Sequence, residues 1–162
     1  MTYYQKNKYS KPFTPRKPVR SFRDLDVYQK SMECAVLLIK DLMPTLAAFG
    51  KSKKEIVYSF GENMVNCAMS IPLSIGEAHS MRFASFQGGI ALLEKAMSGS
   101  NKMIVYLEEI KGVYGAKVDV GFVDDLIRRY ADNRTKMFHL EKSWKKFSYP
   151  VREVKPNEHI KY

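Results

Sequence analysis

The sequence predicts an all-α protein, an antiparallel up-down-up-down four-helix bundle with flexible basic N- and C-terminal tails. Three observations carry that expectation. Apolar residues recur at steps of three and four through four long segments, no stretch alternates with period two, and the segments are joined by short connections. At 162 residues, 45% hydrophobic and 27% charged, the chain suits one domain with a single core. Residues 1–20 read as a disordered arm, 21–147 as the bundle and 148–162 as a second tail.

Ser21 and Asp24 make a capping box with aspartate in place of the usual glutamate at the start of the first segment. Leu25, Tyr28, Met32, Ala35, Ile39 and Leu42 then form its apolar stripe, and Pro44 is expected to stop it. The second stripe is Ile56, Phe60, Met64, Cys67, Ile71, Ile75 and Ala78, with Ser59, Glu62, Asn63, Asn66, Ser70, Ser74 and Glu77 on the opposite side. Pro72 lies inside it and predicts a kink, since proline removes one backbone bond and crowds the preceding turn.

Phe86, Ile90, Leu93, Met97, Ile104, Leu107 and Tyr114 mark the third helix. Gly88-Gly89 and Ser98-Gly99-Ser100 weaken its helix propensity, and such small residues let a neighbouring backbone come close. Gly112 and Gly115 bracket its end, and Asp119 is the expected cap of the fourth helix. That helix carries the stripe Phe122, Leu126, Tyr130, Met137, Leu140, Trp144 and Phe147. Val36, Leu38 and Met43 beside the first stripe, and Leu92, Met103, Tyr106 and Ile110 beside the third, exceed what one seam needs. They predict a second apolar face and self-association.

The formal net charge of +10 resides in the two ends. Lys6, Lys8, Lys11, Arg16, Lys17 and Arg20 stand in the first twenty residues without an acid, while residues 142–162 hold six bases against Glu153 and Glu158. The middle is balanced. Such a distribution fits a scaffold that offers basic arms to a polyanion, with RNA or DNA the expected partner. In the first arm Tyr3, Tyr4, Tyr9 and Phe13 interleave with lysines, combining base stacking with phosphate neutralisation, and Pro12, Pro15 and Pro18 keep it extended. At the other end Lys142, Lys145 and Lys146 suit either phosphate or the dipole of their own helix. Arg128, Arg129, Arg134 and Lys136 lie among Asp124, Asp125 and Asp132 and read as a solvated, salt-bridged face.

The sequence speaks against catalysis. Gly76, Lys136 and Pro156 precede His79, His139 and His159 by three positions, so the Glu-x-x-His pairs of a bundle di-iron site are missing, and no metal or cofactor is expected. Neither a His-Glu-x-x-His motif, nor Cys-x-x-Cys, nor a phosphate-cradling loop, nor a nucleophile elbow is found. The longest uncharged stretch of the apolar middle, Asn63 to Gly76, falls short of the roughly 20 apolar residues of a membrane span. With no apolar run after Met1-Thr2-Tyr3-Tyr4-Gln5-Lys6, a cytoplasmic location is expected, and Cys34 and Cys67 read as reduced core residues.

Two blocks carry a family resemblance. Phe22-Arg23-Asp24-Leu25-Asp26-Val27-Tyr28-Gln29-Lys30 resembles the Phe-x-x-Leu-x-Val-(Trp/Tyr)-(Gln/Lys)-Lys opening of the 23S rRNA-intervening-sequence protein family. Ala68-Met69-Ser70-Ile71-Pro72-Leu73-Ser74-Ile75-Gly76-Glu77-Ala78 is similar to that family's Ala-x-Ser-Ile-Pro-x-Asn-Ile-Ala-Glu-Gly core. The chain departs from the pattern at Val65-Asn66, where the family has Arg-Arg, and at Ser74, Gly76 and Ala78. The resemblance implies a four-helix bundle assembling as a ring of five. It also implies structural roles for Phe22, Leu25, Val27, Tyr28, Ser70, Ile71, Pro72, Ile75 and Glu77, the last near the backbone groups freed by Pro72 or at a neighbouring subunit. A related branch comprises the accessory variability proteins of diversity-generating retroelements, basic pentamers that bind a reverse transcriptase and nucleic acid. Trp144, within Leu140-Glu141-Lys142-Ser143-Trp144-Lys145-Lys146, resembles the Gly-Trp near the end of their last helix.

Overall fold

The structure, a computed structural model, describes residues 18–50 and 56–148, and every element among them is helical. A 3-10 turn, Phe22–Asp24, leads into α1 (Asp26–Leu37), which runs through a π-helical turn, Leu38–Leu42, into α2 (Met43–Gly50). Then come α3 (Ile56–Ala84), α4 (Phe86–Tyr114), a 3-10 turn, Gly115–Lys117, and α5 (Val120–Phe147). Among the described residues, no helix is long and apolar enough to cross a membrane.

The Ser21–Asp24 box works with aspartate because the turn it caps is short. Asp24 Oδ2 accepts from the backbone N–H of Arg20 at 2.9 Å and of Ser21 at 3.0 Å, while Ser21 Oγ accepts from the N–H of Arg23 at 3.2 Å. Those donors hold the Asp24 carboxyl below its usual pKa.

Pro44 does not stop the first helix, contrary to the sequence expectation. The π turn precedes it, and the N–H of Met43 reaches back five residues to the carbonyl of Leu38. A proline has no N–H to continue the ladder and its ring presses on the carbonyl four residues back, so a widened turn relieves the clash and the helix proceeds to Gly50. Pro72 likewise lies inside an unbroken α3.

α3 packs against α4, α4 against α5, and α1 against both α3 and α5. Between them Leu38, Met64, Ile71, Ile75, Leu93, Met103, Leu107, Ile110, Leu126 and Met137 are fully buried. Leu25, Ala35 and Leu42 of the expected first stripe are buried, but at Tyr28, Met32 and Ile39 the inward residue is the one before, Val27, Ser31 and Leu38, and Ile39 is exposed. Leu38, Met103 and Ile110, set aside by the sequence for a second partner, belong to the chain's own core. Ser74 also points inward, at 3% exposure, and Phe147 points outward at 74%. On α5 the missing stripe positions are filled by Val123, Asn133 and Glu141.

Both cysteines are free, as expected. Burial pushes the Cys34 thiol up to about 11, and Cys67 Sγ lies 3.5 Å from the carbonyl of Gly99 as its donor. α4 ends at Gly115, whose φ of +51° is a conformation that L side chains rarely adopt, and Asp119 Oδ1 caps α5 by accepting from the N–H of Phe122 at 3.0 Å.

The glycines of α4 serve close approach. A Cβ at Gly89 would lie 2.7 to 2.9 Å from Arg82 Cβ, Cα and N, and one at Gly99 would lie 2.9 Å from Ile71 Cγ1. Gly112, in the same helix, faces open space. Gly89→Ala therefore loses about 1–3 kcal/mol, since it meets backbone that cannot step aside, whereas Gly112→Ala gains about 0.5–1 kcal/mol. Urea unfolding midpoints that moved in the same direction would contradict the close approach.

Candidate nucleic-acid interface

The last turn of α3 and the first turn of α4 are separated by the single residue Ser85, whose Oγ accepts from the N–H of Gly88 at 3.1 Å. Beside this junction the end of α5 and the segment entering the first 3-10 turn close a cleft of about 840 Å³. Its walls are Phe83, Phe86, Leu140, Trp144 and Phe147, with Arg82 the one charged lining residue among those described. Val19 and Ser148 line it as well. The described chain thus enters and leaves at the same cleft.

Arg82 is held by rings instead of carboxylates. Its guanidinium lies 4.6 Å from the centroid of Phe83 and 4.6 Å from that of Trp144, geometry that favours a cation over both π faces. Nη2 is 3.4 Å from His79 Nε2, and Nε is buried with no hydrogen-bond partner among the described residues. Burial lowers the Arg82 pKa from its ordinary value, without approaching neutrality at physiological pH. His79 packs edge-on to Phe83, with ring centroids 5.7 Å apart.

The sequence-predicted binding residues divide in two. Tyr3, Tyr4, Lys6, Lys8, Tyr9, Lys11, Arg16 and Lys17 lie outside the described residues. Arg20 is exposed one residue beyond Val19. Lys142, Lys145 and Lys146 are exposed on the last turns of α5, alongside the cleft residues Ser143, Trp144 and Phe147. Lys142 Nζ sits 4.4 Å from the Phe138 ring, Lys146 Nζ sits 6.0 Å from the Phe147 ring, and Lys145 pairs with Glu141. Arg82, Phe83 and His79 are not singled out by the sequence, because an arginine near a helix end looks like an ordinary dipole partner; the signal present is the adjacent Arg82-Phe83 pair beyond the apolar stripe.

The two motif blocks meet in space. Phe22 packs edge-on against Tyr28, at 4.9 Å and 73°, and its ring lies 3.5 Å from where a Cβ on Gly76 would stand. Leu25, Val27, Ile71, Pro72 and Ile75 are buried, and Ser70 Oγ donates to the carbonyl of Cys67 at 2.7 Å. Glu77 is exposed and bonds no backbone group among the described residues.

Three of the four basic residues of the α5 cluster, Arg128, Arg129 and Lys136, are salt-bridged, partly within α5 and partly to α1. Arg129 bonds Asp125 at 2.6 Å and Glu33 at 2.7 Å, Arg128 pairs with Asp125, and Lys136 reaches Asp26 at 2.5 Å. Lys111 of α4 meets Asp124 at 2.7 Å. Under that surface Asn133 Nδ2 donates to the carbonyl of Val27 at 3.1 Å and to Ser31 Oγ at 2.7 Å. Arg128, Arg129, Lys136 and Lys111 are thus paired with carboxylates, while Arg134 is exposed with no such partner among the described residues.

His79 gives the cleft a pH dependence. Burial first and the Arg82 charge second hold its pKa below the ordinary 6.5, against a smaller opposing effect of Asp24. The folded state therefore resists the proton: the stabilisation is complete above about 6.5, the unfolded value, and is lost as pH falls through the lowered folded value. Urea midpoints should drop between about pH 7.5 and 5 in the native chain and drop less in His79→Gln. Equal drops would place the acid sensitivity elsewhere.

No family model, curated protein or solved structure matches this chain.

Proposed function

We propose that the chain is a non-catalytic, antiparallel up-down-up-down four-helix-bundle scaffold that assembles as a ring of five in the cytoplasm and binds RNA or DNA through its basic tails. The carrying observation is that Val19 and Ser148 line one cleft. Six basic residues lie in positions 1–20 and six in 142–162, so both charged stretches attach at one place and their fields add. The neighbour relations of α1, α3, α4 and α5 support the bundle. So do the pairs Ile71–Gly99 and Arg82–Gly89, which run in opposite chain directions.

Exposed apolar pairs support self-association even after Leu38, Met103 and Ile110 are assigned to the core. Val36 on α1 and Ile39 in the π turn that follows, Met69 and Leu73 on α3, and Val105 and Val113 on α4 are spaced by three, four and eight residues, steps that keep each pair on one side of its helix. A ring of heterologous contacts would gather ten tails, so weak single contacts gain avidity. The resemblance in residues 22–30 and 68–78 supports five copies. In a second reading, favoured by the same exposed pairs, the helical body docks a reverse transcriptase as an accessory protein of a diversity-generating retroelement.

Removing residues 1–17 should flatten the dependence of log affinity on log salt, by roughly 0.7 to 0.9 for each phosphate that the arm no longer neutralises. Fluorescence anisotropy across a salt series checks this, and an unchanged slope removes the arm from the mechanism. Light scattering should give a mass near five times 18.7 kDa, and a monomer at micromolar concentration would end the ring proposal. Co-purification of a reverse transcriptase with the tail-less body would favour the second reading.

A further inference from the structure

The geometry points to a base-stacking site in the cleft: single-stranded RNA or DNA inserts an unpaired base between Phe83 and Phe147, with its phosphate at Arg82 and Lys146. This rests on the nucleic-acid reading above and adds to it a place and a strand state.

Phe83 and Phe147 are the most exposed rings of the described chain, at 76% and 74%, and both line the same cleft from the ends of α3 and α5. Two such rings lining one cleft form an apolar patch instead of scattered residues, and patches of this kind mark interaction sites. Each carries a cation over its face, Arg82 at 4.6 Å and Lys146 at 6.0 Å. Alternating flat apolar faces and positive charge is the arrangement that single-stranded nucleic acids use, since every base has a π face and every step a phosphate. The cleft volume of about 840 Å³ lies within the range of small-ligand sites.

Charge decides among occupants. An apolar helix from another protein or a second copy would cover the rings but further desolvate the Arg82 guanidinium, whose Nε is already buried and unpaired, with no carboxylate within reach among the described residues. An anion removes that cost. A duplex would bring the anion without the flat apolar group, because its bases are stacked on one another. An unpaired nucleotide brings both, and Gln87 in the lining can donate to and accept from a base edge.

Trp144 is the single tryptophan of the chain and is stacked on Arg82 in the cleft wall, so its emission reports occupancy. Titrating the full chain with a single-stranded uridine 20-mer should change Trp144 emission to saturation, and a perfect duplex of the same length should not. Phe83→Leu and Phe147→Leu should each weaken the single strand roughly tenfold, as loss of one stacked base predicts, with the salt slope unchanged. Phe83→Tyr should restore affinity, and unchanged circular dichroism melts would show that the leucine variants fold. Native binding of the 20-mer with silent Trp144 emission and full-strength leucine variants overturns the cleft assignment while leaving the tails as the binding element. No binding of either nucleic acid overturns both. Trp144 emission that varies with protein concentration alone, and that the 20-mer leaves unmoved, assigns the cleft to a second copy and overturns the inference.

Discussion

The approach of α3 to α4 is the constraint on which the rest of the structure depends. At Gly89 there is no room for a methyl group beside the Arg82 backbone, and at Gly99 none beside Ile71. Two contacts separated by nearly three turns fix the halves of the helices nearest their junction, and one residue, Ser85, joins them. The last turn of α3 therefore cannot swing away from the first turn of α4. That rigidity is what holds Arg82 between Phe83 and Trp144. Stacking of this kind is weak in water and stronger where the cation is partly desolvated, as here.

α1 and α5 are tied by different means. Their seam contains a buried polar cluster in which Ser31 Oγ donates to the carbonyl of Val27 at 2.7 Å while Asn133, 2% exposed, donates to both. Ion pairs such as Arg129–Glu33 border it at the surface, where each contributes only about 0–1 kcal/mol. The buried bonds matter more for register than for net stability, because sliding α5 along α1 would strand the Asn133 amide without acceptors. Hydrophobic contact with α4 and polar contact with α1 thus leave α5 one position in which to end, beside the cleft.

The helical class, the limits of the three long helices and the caps at Ser21 and Asp119 are legible in the sequence, because each rests on local chemistry that tertiary contacts reinforce. Errors gather where a position was sorted by polarity alone. Ser31, Ser74, Asn133 and Glu141 face inward because each is small or finds a partner, and an apolar stripe drawn without them is displaced toward Ile39 and Phe147. Pro44 misled for another reason, since a stop signal holds for an α turn and the chain there is wider. Of the candidate site, the basic rim at Lys142, Lys145 and Lys146 is visible in the sequence. The aromatic clasp on Arg82 is not, for it joins residues more than sixty positions apart, and neither helix alone distinguishes an arginine over a tryptophan from one in water.

The widened turn at Leu38–Leu42 also sets the angular phase of everything after it. α2 is carried on a stretch whose winding differs from that of α1, so Leu46 is buried and Phe49 comes within 6.0 Å of the Tyr114 ring, at the opposite end of α4 from Arg82. One residue more or fewer in that stretch would rotate both side chains by about 100° about the helix axis, the angle of one α-helical step. The chain length between Leu38 and Leu46 is therefore a fixed gauge, while the identities of the exposed Lys40 and Asp41 within it are free to drift.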